Sequence, residues 1–391
     1  MEIAESNSVL CEIIVEQITK SPEQRITFAE FMELALYHPQ QGYYATNQSG
    51  KGIQSDFFTS SHLGADFGEL LAQQFAQMWE ILERPNPFTL IEMGAGQGLL
   101  VQDILRYLNK HHFACFEALR YIIVEKSPAL AAEQQRRFGK FAESWGSLSW
   151  KTWEEIPKDS IVGCCFSNEL VDAFPVHQVV RVGETLQEIY VDPSFQETIS
   201  GLSTLKLLEY FERVDVNLTA QNYPEGYRSE VNLQALDWLE TVSDRLHQGY
   251  LLTIDYGYSA QRYYSPTRTQ GTLQCYYQHA HHSNPYVAIG RQDITAHVNF
   301  TALERWGEQF GLQNMGLTQQ GLFLMALGLG DRLSALSSSD QSLQNILSRR
   351  ESLHALMNPM GLGNFGVLIQ SKGLKATQEN QPLTGLSAPM L

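Results

Sequence analysis

Apolar residues recur along the first half of the chain in two alternating patterns. Continuous apolar runs, typical of strands buried on both faces, cover residues 88–93, 121–125 and 161–166. Between these runs, at 99–109 and 128–138, apolar positions recur every three or four residues, as on one face of an amphipathic helix. Strands that alternate with helices in this way predict an α/β fold with a mostly parallel sheet.

Weaker patterns extend this core in both directions along the chain. Helices are predicted within 1–37 and at 63–82, and Thr27 and Glu30 have the spacing of a capping box. Further strands and helices are predicted at 148–150, 251–256, 301–310, 331–357 and 365–370. Five parts follow: a helical N-terminal segment (1–82), a Rossmann-like nucleoside-binding core (83–182), an inserted lobe (183–230), the rest of the core with an active-site loop (231–373) and a flexible tail (374–391). The loop is predicted at 257–300, which is rich in Tyr, His, Gln and Pro and has little periodicity.

A glycine-rich turn follows the first core strand and is the clearest chemical signal. Glycines at 94, 96 and 98 allow the backbone to approach a ligand closely, and the next helix presents unpaired N–H groups. The dinucleotide fingerprint Gly-x-Gly-x-x-Gly requires glycine where the chain has Leu99, which argues against NAD and FAD. Glu92 would repel a pyrophosphate but could accept hydrogen bonds from the ammonium group of S-adenosylmethionine.

Acidic residues follow two further core strands. Glu125 stands where ribose hydroxyls arrive in a doubly wound sheet, although it could instead cap the helix that begins after Ser127. After the strand at 161–166 come Asn168, Glu169 and Asp172. Two carboxylates three residues apart can face one pocket, hold a guanidinium and accept its proton during methyl transfer. The alternative for this segment is a junction that Asn and Asp merely cap, and Glu230 is a further candidate acid.

Composition and charge exclude several classes of protein. With 43 acidic and 27 basic residues the net charge is −16, which opposes binding to nucleic acid or anionic membranes. No apolar run is long enough to span a membrane, so no membrane insertion is expected. Five scattered cysteines without secretory or transit patterns predict a reducing, cytoplasmic location. The histidine-rich stretch 279–282 near Cys275 lacks the ligand spacing of a zinc site, so no metal is expected.

Six separated motifs together resemble the MidA family of class I S-adenosylmethionine-dependent methyltransferases. The likeness spans roughly residues 25–370, and the combination is specific where the glycine turn alone is not. The motifs are Tyr37-His38-Pro39 with Gly42-Tyr43-Tyr44, Asp56-Phe57-Phe58-Thr59-Ser60, Glu92-x-Gly94-x-Gly96-x-Gly98, Asn168-Glu169-x-x-Asp172-Ala173-x-Pro175-Val176, Asp255-Tyr256-Gly257, and Gly271-Thr272-Leu273 through Gln292-Asp293-Ile294-Thr295.

The resemblance implies a seven-stranded methyltransferase sheet with an inserted lobe, S-adenosyl-L-methionine as cofactor, and methylation of an arginine in a protein. The eukaryotic relatives act on a subunit of respiratory complex I, so a subunit of that type is the implied partner. Two other functions compete: methylation of a small molecule, and a non-catalytic assembly chaperone that binds the cofactor. The implied cofactor residues are Glu92, Gly94, Gly96, Gly98, Glu125, Asp56, Thr59 and Asn168, and the implied catalytic residues are Glu169, Asp172 and Asn168.

Overall fold

The computed structural model describes residues 6–46, 60–278, 280–336 and 342–387. The helices of these residues are α1 Ser8–Lys20, α2 Phe28–Tyr37, α3 Tyr43–Thr46, α4 Ala65–Ile81, α5 Leu99–His111, α6 Phe113–Ala118, α7 Pro128–Trp145, α8 Lys206–Arg213, α9 Leu233–Arg245, α10 Ala260–Tyr263, α11 Phe300–Gln309, α12 Gln320–Ala326, α13 Leu329–Ala335, α14 Leu343–Met357 and α15 Ala376–Glu379. The strands are β1 Ile26–Thr27, β2 Phe88–Met93, β3 Leu119–Val124, β4 Leu148–Trp150, β5 Ile161–Asn168, β6 His177–Val182, β7 Thr185–Val191, β8 Glu197–Ser200, β9 Arg228–Val231, β10 Leu246–Asp255, β11 Gly257–Tyr258, β12 Gln274–Tyr277, β13 Ala280–His282, β14 Asp293–Thr295, β15 Val298–Asn299, β16 Gln313–Gln319 and β17 Gly366–Lys372.

The central sheet joins seven of these strands in the order β16-β17-β10-β5-β2-β3-β4. The strands from β10 to β4 run parallel, whereas β17 is antiparallel to both β10 and β16. Helices cover both faces, with α4 and α5 on one side and α9 and α11 on the other. Because both faces are covered, the inner strands are apolar throughout, which is the pattern seen in the sequence. The predicted α/β class is confirmed.

Local signals explain where the helices around this sheet begin and end. Thr27 and Glu30 form the predicted capping box at the start of α2. Ser127 caps α7 by accepting a hydrogen bond from the backbone N–H of Leu130 at 3.3 Å, and Pro128 is the first residue of that helix. Gly146 ends α7 with a positive φ of 75°. These caps orient α7 so that its N-terminus lies directly after the end of β3.

A second sheet has the order β1-β7-β6-β9, and β8 pairs with the C-terminal part of β7. It contains the strands of the predicted lobe at 183–230, together with β6 and β1, which lie outside that range. The division of the chain at those boundaries stays a prediction. Residues 257–300, predicted as a long loop, contain β11 to β15 in two small sheets. These strands are two to four residues long, too short to produce a visible period in the sequence.

The C-terminal part differs from the sequence prediction in three places. Strand β16 was not predicted because it lies at the edge of the sheet and its positions are mostly exposed. The helix predicted at 331–357 is divided into α13 and α14, and α12 precedes them. Residues 374–387, predicted as part of a flexible tail, contain α15, and Leu383 is buried in the core beside α4. Few apolar residues suffice to dock this segment, so its composition resembles that of a tail.

Candidate active site

The carboxyl ends of the parallel strands meet at one edge of the sheet, where the predicted site residues lie. Strand β2 stands between β3 and β5, and β10 follows β5. The glycine turn therefore leaves the sheet between Glu125, after β3, and the segment 168–172, after β5. Ligands of open α/β sheets bind at this edge.

The glycine turn is shaped to admit a ligand. Gly94, Gly96 and Gly98 all have positive φ, at 68°, 53° and 72°, which favours glycine. A Cβ on Gly96 would meet no heavy atom of the described residues, other than its chain neighbours, within 4 Å, so among these residues open space lies beside its Cα. Gly98 directly precedes α5, a helix of 13 residues whose N-terminal N–H groups face the turn.

Gln134 links the glycine turn to Glu125. Its amide nitrogen Nε2 donates to the backbone oxygen of Gly96 at 2.8 Å and to the Glu125 carboxylate at 3.3 Å. Its amide oxygen accepts from Trp150 at 3.0 Å, and Gln134 itself is fully buried. No local signal in the sequence points to Gln134, because its role depends on contacts between α7, β4 and the turn. The Gln134 side chain therefore fixes the position of the glycine turn relative to Glu125.

Glu125 itself is half-buried at the end of β3. One carboxylate oxygen accepts from the backbone N–H of Ser127 at 3.0 Å, which is the capping contact offered as the alternative to ribose binding. Burial raises its pKa, although hydrogen bonds from Ser127 and Gln134 act in the opposite direction. One carboxylate can cap a turn and accept from a hydroxyl at the same time, because its two oxygens offer about four acceptor positions. Ribose binding by Glu125 stays a prediction.

Glu92 lies within strand β2, deeper in the protein than the glycine turn that follows this strand. Its carboxylate is buried and accepts a hydrogen bond from the Tyr121 hydroxyl at 2.5 Å. Burial raises the pKa of Glu92 to about 8, and the charge of Glu125 adds to that shift. Tyr121, on the neighbouring strand β3, was not predicted to take part. Cofactor binding by Glu92 stays a prediction, with one of its oxygens already engaged inside the protein.

The segment 168–172 forms a strained turn against the glycine turn. Glu169 has a φ of 52°, rare for a residue with a side chain. Its Oε1 accepts from the backbone N–H of Ser60 and from the Asn168 side chain, both at 3.1 Å. A Cβ on Gly94 would lie 2.7 Å from Leu170 Cδ1, so the two turns are in direct contact. The glycine at 94 permits this close approach.

Asp255 fixes the backbone of this turn. Its Oδ2 accepts from the backbone N–H groups of Leu170, Val171 and Asp172 at 3.2, 2.8 and 3.4 Å. Its Oδ1 accepts from the backbone N–H of Tyr256 at 2.8 Å. Asp255 belongs to a motif of the family resemblance, yet the sequence did not assign it a role. The structure makes it a positioning residue for Glu169 and Asp172.

Four carboxylates gather here, and the pKa values of three of them, Glu169, Asp172 and Asp255, are raised. Burial is the main cause for Asp172, whose pKa is well above the usual range, and Asp255, Glu169 and Asp293 add to the shift. Burial raises the pKa of Glu169 and of Asp255 to about 7 in each case. Asp293 accepts from the Tyr44 hydroxyl at 3.0 Å. A cation bound among these carboxyl groups would favour their ionised forms, so the arrangement would stabilise a bound cation.

One polar atom beside these carboxylates has no partner among the described residues. Asn168 Oδ1 is buried and accepts no hydrogen bond from any of them, although the amide nitrogen of Asn168 is bonded to Glu169. A buried acceptor without a donor costs free energy on the order of 1–3 kcal/mol. A ligand that carries N–H groups would supply the missing donor.

Aromatic rings form a wall that leads outward from the carboxylates. The ring centroid of Tyr256 lies 4.0 Å from that of His297, which lies 4.9 Å from that of Tyr258. Burial raises the pKa of Tyr276, and the charge of Asp172 is the next contribution, so that Tyr276 adjoins the cluster. The sequence placed an active-site loop in this region from its tyrosines and histidines, without choosing among them. We call Tyr256, Tyr258, Tyr276 and His297 the aromatic wall.

Other candidate residues lie elsewhere or outside the described part. Asp56, Thr59 and His279 fall outside the described residues. Ser60 and Tyr44, which flank the first gap, contact Glu169 and Asp293 respectively. Glu230 is buried, and its carboxylate accepts from the backbone N–H of Thr272 at 2.9 Å. That contact ties the second sheet to the segment before β12, which is a structural role.

Known proteins resemble this chain over most of its length. The model of a family described as S-adenosyl-L-methionine-dependent methyltransferases matches residues 70–318. The protein arginine methyltransferase NDUFAF7, mitochondrial, of Rattus norvegicus is 29% identical over 392 residues, covering 92% of this chain and 86% of the relative. The homolog of NDUFAF7 in Drosophila melanogaster is 28% identical over 389 residues, covering 93% of this chain and 85% of the relative.

Two crystal structures of Burkholderia thailandensis proteins share the fold and 28% sequence identity. One is bound to S-adenosyl-homocysteine and superposes with a TM-score of 0.84, covering 98% of this chain and 96% of that chain. The other, a native structure, superposes with a TM-score of 0.81. The predicted Rossmann-like fold with an inserted lobe is therefore shared with a protein that holds the demethylated form of S-adenosylmethionine.

The predicted cytoplasmic location is wrong, because the curated relatives from rat and fruit fly are mitochondrial proteins. Unpaired cysteines indicate reducing conditions, which are not specific to the cytoplasm, and the prediction of location from composition therefore failed. Among the described helices, none combines the length and the apolar character needed to cross a bilayer.

Proposed function

Because the chain belongs to the family of S-adenosyl-L-methionine-dependent methyltransferases, with S-adenosyl-L-methionine as methyl donor, we propose that it methylates an arginine side chain of a protein. The observation that carries the choice of arginine is the cluster of Glu169, Asp172, Asp255 and Asp293 beside the glycine turn. A guanidinium is always cationic and offers five N–H donors, so it matches several carboxylates. The relatives named as protein arginine methyltransferases support the same choice.

The described residues have the features that this cofactor requires. The open space beside Gly96 would admit the nucleoside, and the half-buried Glu125 carboxylate would accept its ribose hydroxyls. Asn168 Oδ1 would accept from an N–H group of the cofactor or of the acceptor. When bound, S-adenosyl-L-methionine supplies an electrophilic methyl group on a sulfonium sulfur.

Glu169 and Asp172 would act on the acceptor. Ion-paired to the guanidinium, they would orient one nitrogen toward the methyl carbon and localise electron density on that nitrogen. The nitrogen electron pair forms the new N–C bond, the C–S bonding pair returns to sulfur, and one N–H proton passes to a carboxylate oxygen. Asp255 would keep both carboxylates in place through the three backbone N–H groups that it binds.

A subunit of a respiratory complex I-type assembly is our proposal for the acceptor protein. Support comes from the motif resemblance and from the match, over most of both chains, to the mitochondrial NDUFAF7 proteins. An arginine presented during assembly, before the subunit is buried among its partners, would be accessible to the carboxylate cluster.

Incubation of the protein with methyl-labelled S-adenosyl-L-methionine and a lysate of cells that lack it tests this proposal. The labelled species are separated, hydrolysed to amino acids and identified by mass spectrometry. We expect label on methylated arginine in one protein. Label confined to small molecules, or no label although S-adenosyl-homocysteine binds in calorimetry, would contradict the proposal.

A further inference from the structure

Two arginines stand at the outer end of the aromatic wall. The guanidinium carbon of Arg262 lies 4.4 Å from the centre of the Tyr258 ring, and that of Arg268 lies 4.6 Å from it. Arg268 is anchored because its Nη1 donates to the backbone oxygens of Arg262 and Tyr263. The exposed Arg262 guanidinium makes no hydrogen bond or ion pair with any residue that the structure describes. We call Arg262 and Arg268 the arginine pair.

Contacts between rings connect the arginine pair to the proposed reaction centre. Both guanidinium groups stack on the Tyr258 ring, and the His297 ring contacts the rings of both Tyr258 and Tyr256. Tyr256 directly follows Asp255, and the charges of Asp172 and Tyr256 both act on Tyr276. A side chain that entered along this wall would meet arginines at the mouth and carboxylates at the base.

The charge of the mouth opposes that of the whole molecule. The net charge is −16, and the four carboxylates at the base of the site are part of this acidic excess. Burial, with the nearby charges of Arg268 and Arg262, lowers the pKa of His297 to about 3, so His297 stays neutral near pH 7. The positive charge at the mouth therefore belongs to the arginine pair alone among these groups. Stacking on Tyr258 holds it there with little loss of side-chain freedom upon binding.

An exposed guanidinium with free donors is suited to a carboxylate, which it can bind through two parallel hydrogen bonds. Opposite charges at the two ends of one wall also fix the direction in which a segment can enter. We infer that Arg262 and Arg268 bind an acidic side chain of the acceptor, so that the methylated arginine has an aspartate or glutamate close to it. This inference rests on the proposed function, since it requires that the carboxylate cluster take the arginine.

The test compares variants of the full chain on the arginine-containing acceptor protein identified by lysate labelling. Arg262→Glu reverses the charge, and Arg262→Gln removes it. Arg213→Gln is the matched control, because exposed Arg213 stacks in the same way on Trp306, at 5.0 Å. Each variant is assayed for kcat and KM toward the acceptor and, by calorimetry, for its affinity for S-adenosyl-homocysteine.

We expect Arg262→Glu to raise the KM for the acceptor on the order of tenfold, with kcat and S-adenosyl-homocysteine affinity within about twofold. Arg262→Gln should give a smaller increase, and Arg213→Gln none. Acceptor variants in which acidic residues near the methylated arginine are changed singly to lysine then identify the contact. One of these acceptor variants should be methylated efficiently by the Arg262→Glu enzyme and poorly by the unmodified enzyme.

An unchanged or lower KM in Arg262→Glu would overturn the inference, because the arginines would then be neutral toward the acceptor or would repel it. Absence of any rescuing acidic position would also overturn it. Failure of the proposed function looks different: the unmodified enzyme would bind S-adenosyl-homocysteine and place no methyl group on arginine.

Discussion

Glu169 and Asp172 carry the proposed chemistry because their surroundings raise the pKa of both carboxyl groups, which favours their acceptance of a proton. Burial raises the pKa of Glu169 to about 7 and that of Asp172 well above its usual range, and the charge of Asp255 adds to both shifts. Near neutral pH the free site therefore retains protons that a guanidinium would displace. Groups that interact so closely titrate together, so an apparent pKa belongs to the cluster.

The pH dependence of kcat/KM follows from these shifts. The carboxylates must be ionised to bind the guanidinium and to accept its proton, so kcat/KM should rise with pH through about 7 and level off about one unit higher. In Glu169→Gln one negative neighbour is absent, so the pKa of the remaining carboxylates falls and the rise moves to lower pH. Initial rates between pH 5.5 and 9, at subsaturating acceptor, give the profile.

Binding of S-adenosyl-homocysteine over the same pH range is the control, since it separates loss of cofactor from loss of acceptor chemistry. A flat profile between pH 6 and 8 in the unmodified enzyme would mean that these carboxylates do not take part in the reaction.

At the scale of elements, the site consists of two turns that pack against each other. The glycine turn after β2 and the 168–172 turn after β5 touch through Gly94 and Leu170. Gln134 and Asp255 each hold one of these turns from a different element. The open side of the pair lies at Gly96, where an added Cβ would have no atom of a non-neighbouring described residue within 4 Å.

Gly96→Ala tests whether that space belongs to the cofactor. We expect the affinity for S-adenosyl-homocysteine to fall at least tenfold, because the new methyl group would occupy the space of the ligand. The positive φ adds a backbone cost of about 1–2 kcal/mol to folding, whatever the ligand does. Isothermal calorimetry and denaturant unfolding measure the two effects separately.

Gly146→Ala is the matched control for backbone strain. Gly146 also has a positive φ, 75°, and an added Cβ there would have no atom of a non-neighbouring described residue within 4 Å. Gly146 ends α7 at the opposite end from Ser127. Both variants should lose similar stability, and only Gly96→Ala should lose binding. Equal affinity in Gly96→Ala and the unmodified protein would place the cofactor elsewhere.

The sequence predicted those elements whose signals are local. The strands at 88–93 and 148–150 and the capping box of Thr27 and Glu30 have the predicted bounds, because burial on both faces and helix capping depend on neighbouring residues. The edge strand β16 and the docked segment around Leu383 escaped prediction, since each is stabilised by residues far away in the chain.

The same distinction separates the predicted and unpredicted residues of the site. Glu125, Asn168, Glu169 and Asp172 lie at or within four residues of the carboxyl ends of apolar strands, so their place at the sheet edge could be predicted. Gln134 sits mid-helix, and Asp255 lies 83 residues beyond the backbone N–H of Asp172 that it binds. No spacing rule connects such pairs before the fold is known.

For the whole molecule, the structure distributes charge in a way that suits one kind of partner. A net charge of −16 attracts basic surfaces over a range of roughly 8–10 Å at moderate salt, and the carboxylate cluster concentrates that attraction at the sheet edge. The second sheet and the N-terminal helices enlarge the surface around this edge, which suits an acceptor larger than a small metabolite. The same features would suit a chaperone that binds a client without modifying it.

The measurement that separates these functions is methyl transfer by the variant Glu169→Gln/Asp172→Asn to the acceptor identified by lysate labelling. S-adenosyl-homocysteine affinity and acceptor binding are measured on the same samples. We predict that the rate of arginine methylation falls by about 10²–10⁴-fold, while S-adenosyl-homocysteine still binds with an affinity within a few fold of the unmodified protein. Arginine methylation at an unchanged rate would contradict the assignment of these two carboxylates to the reaction.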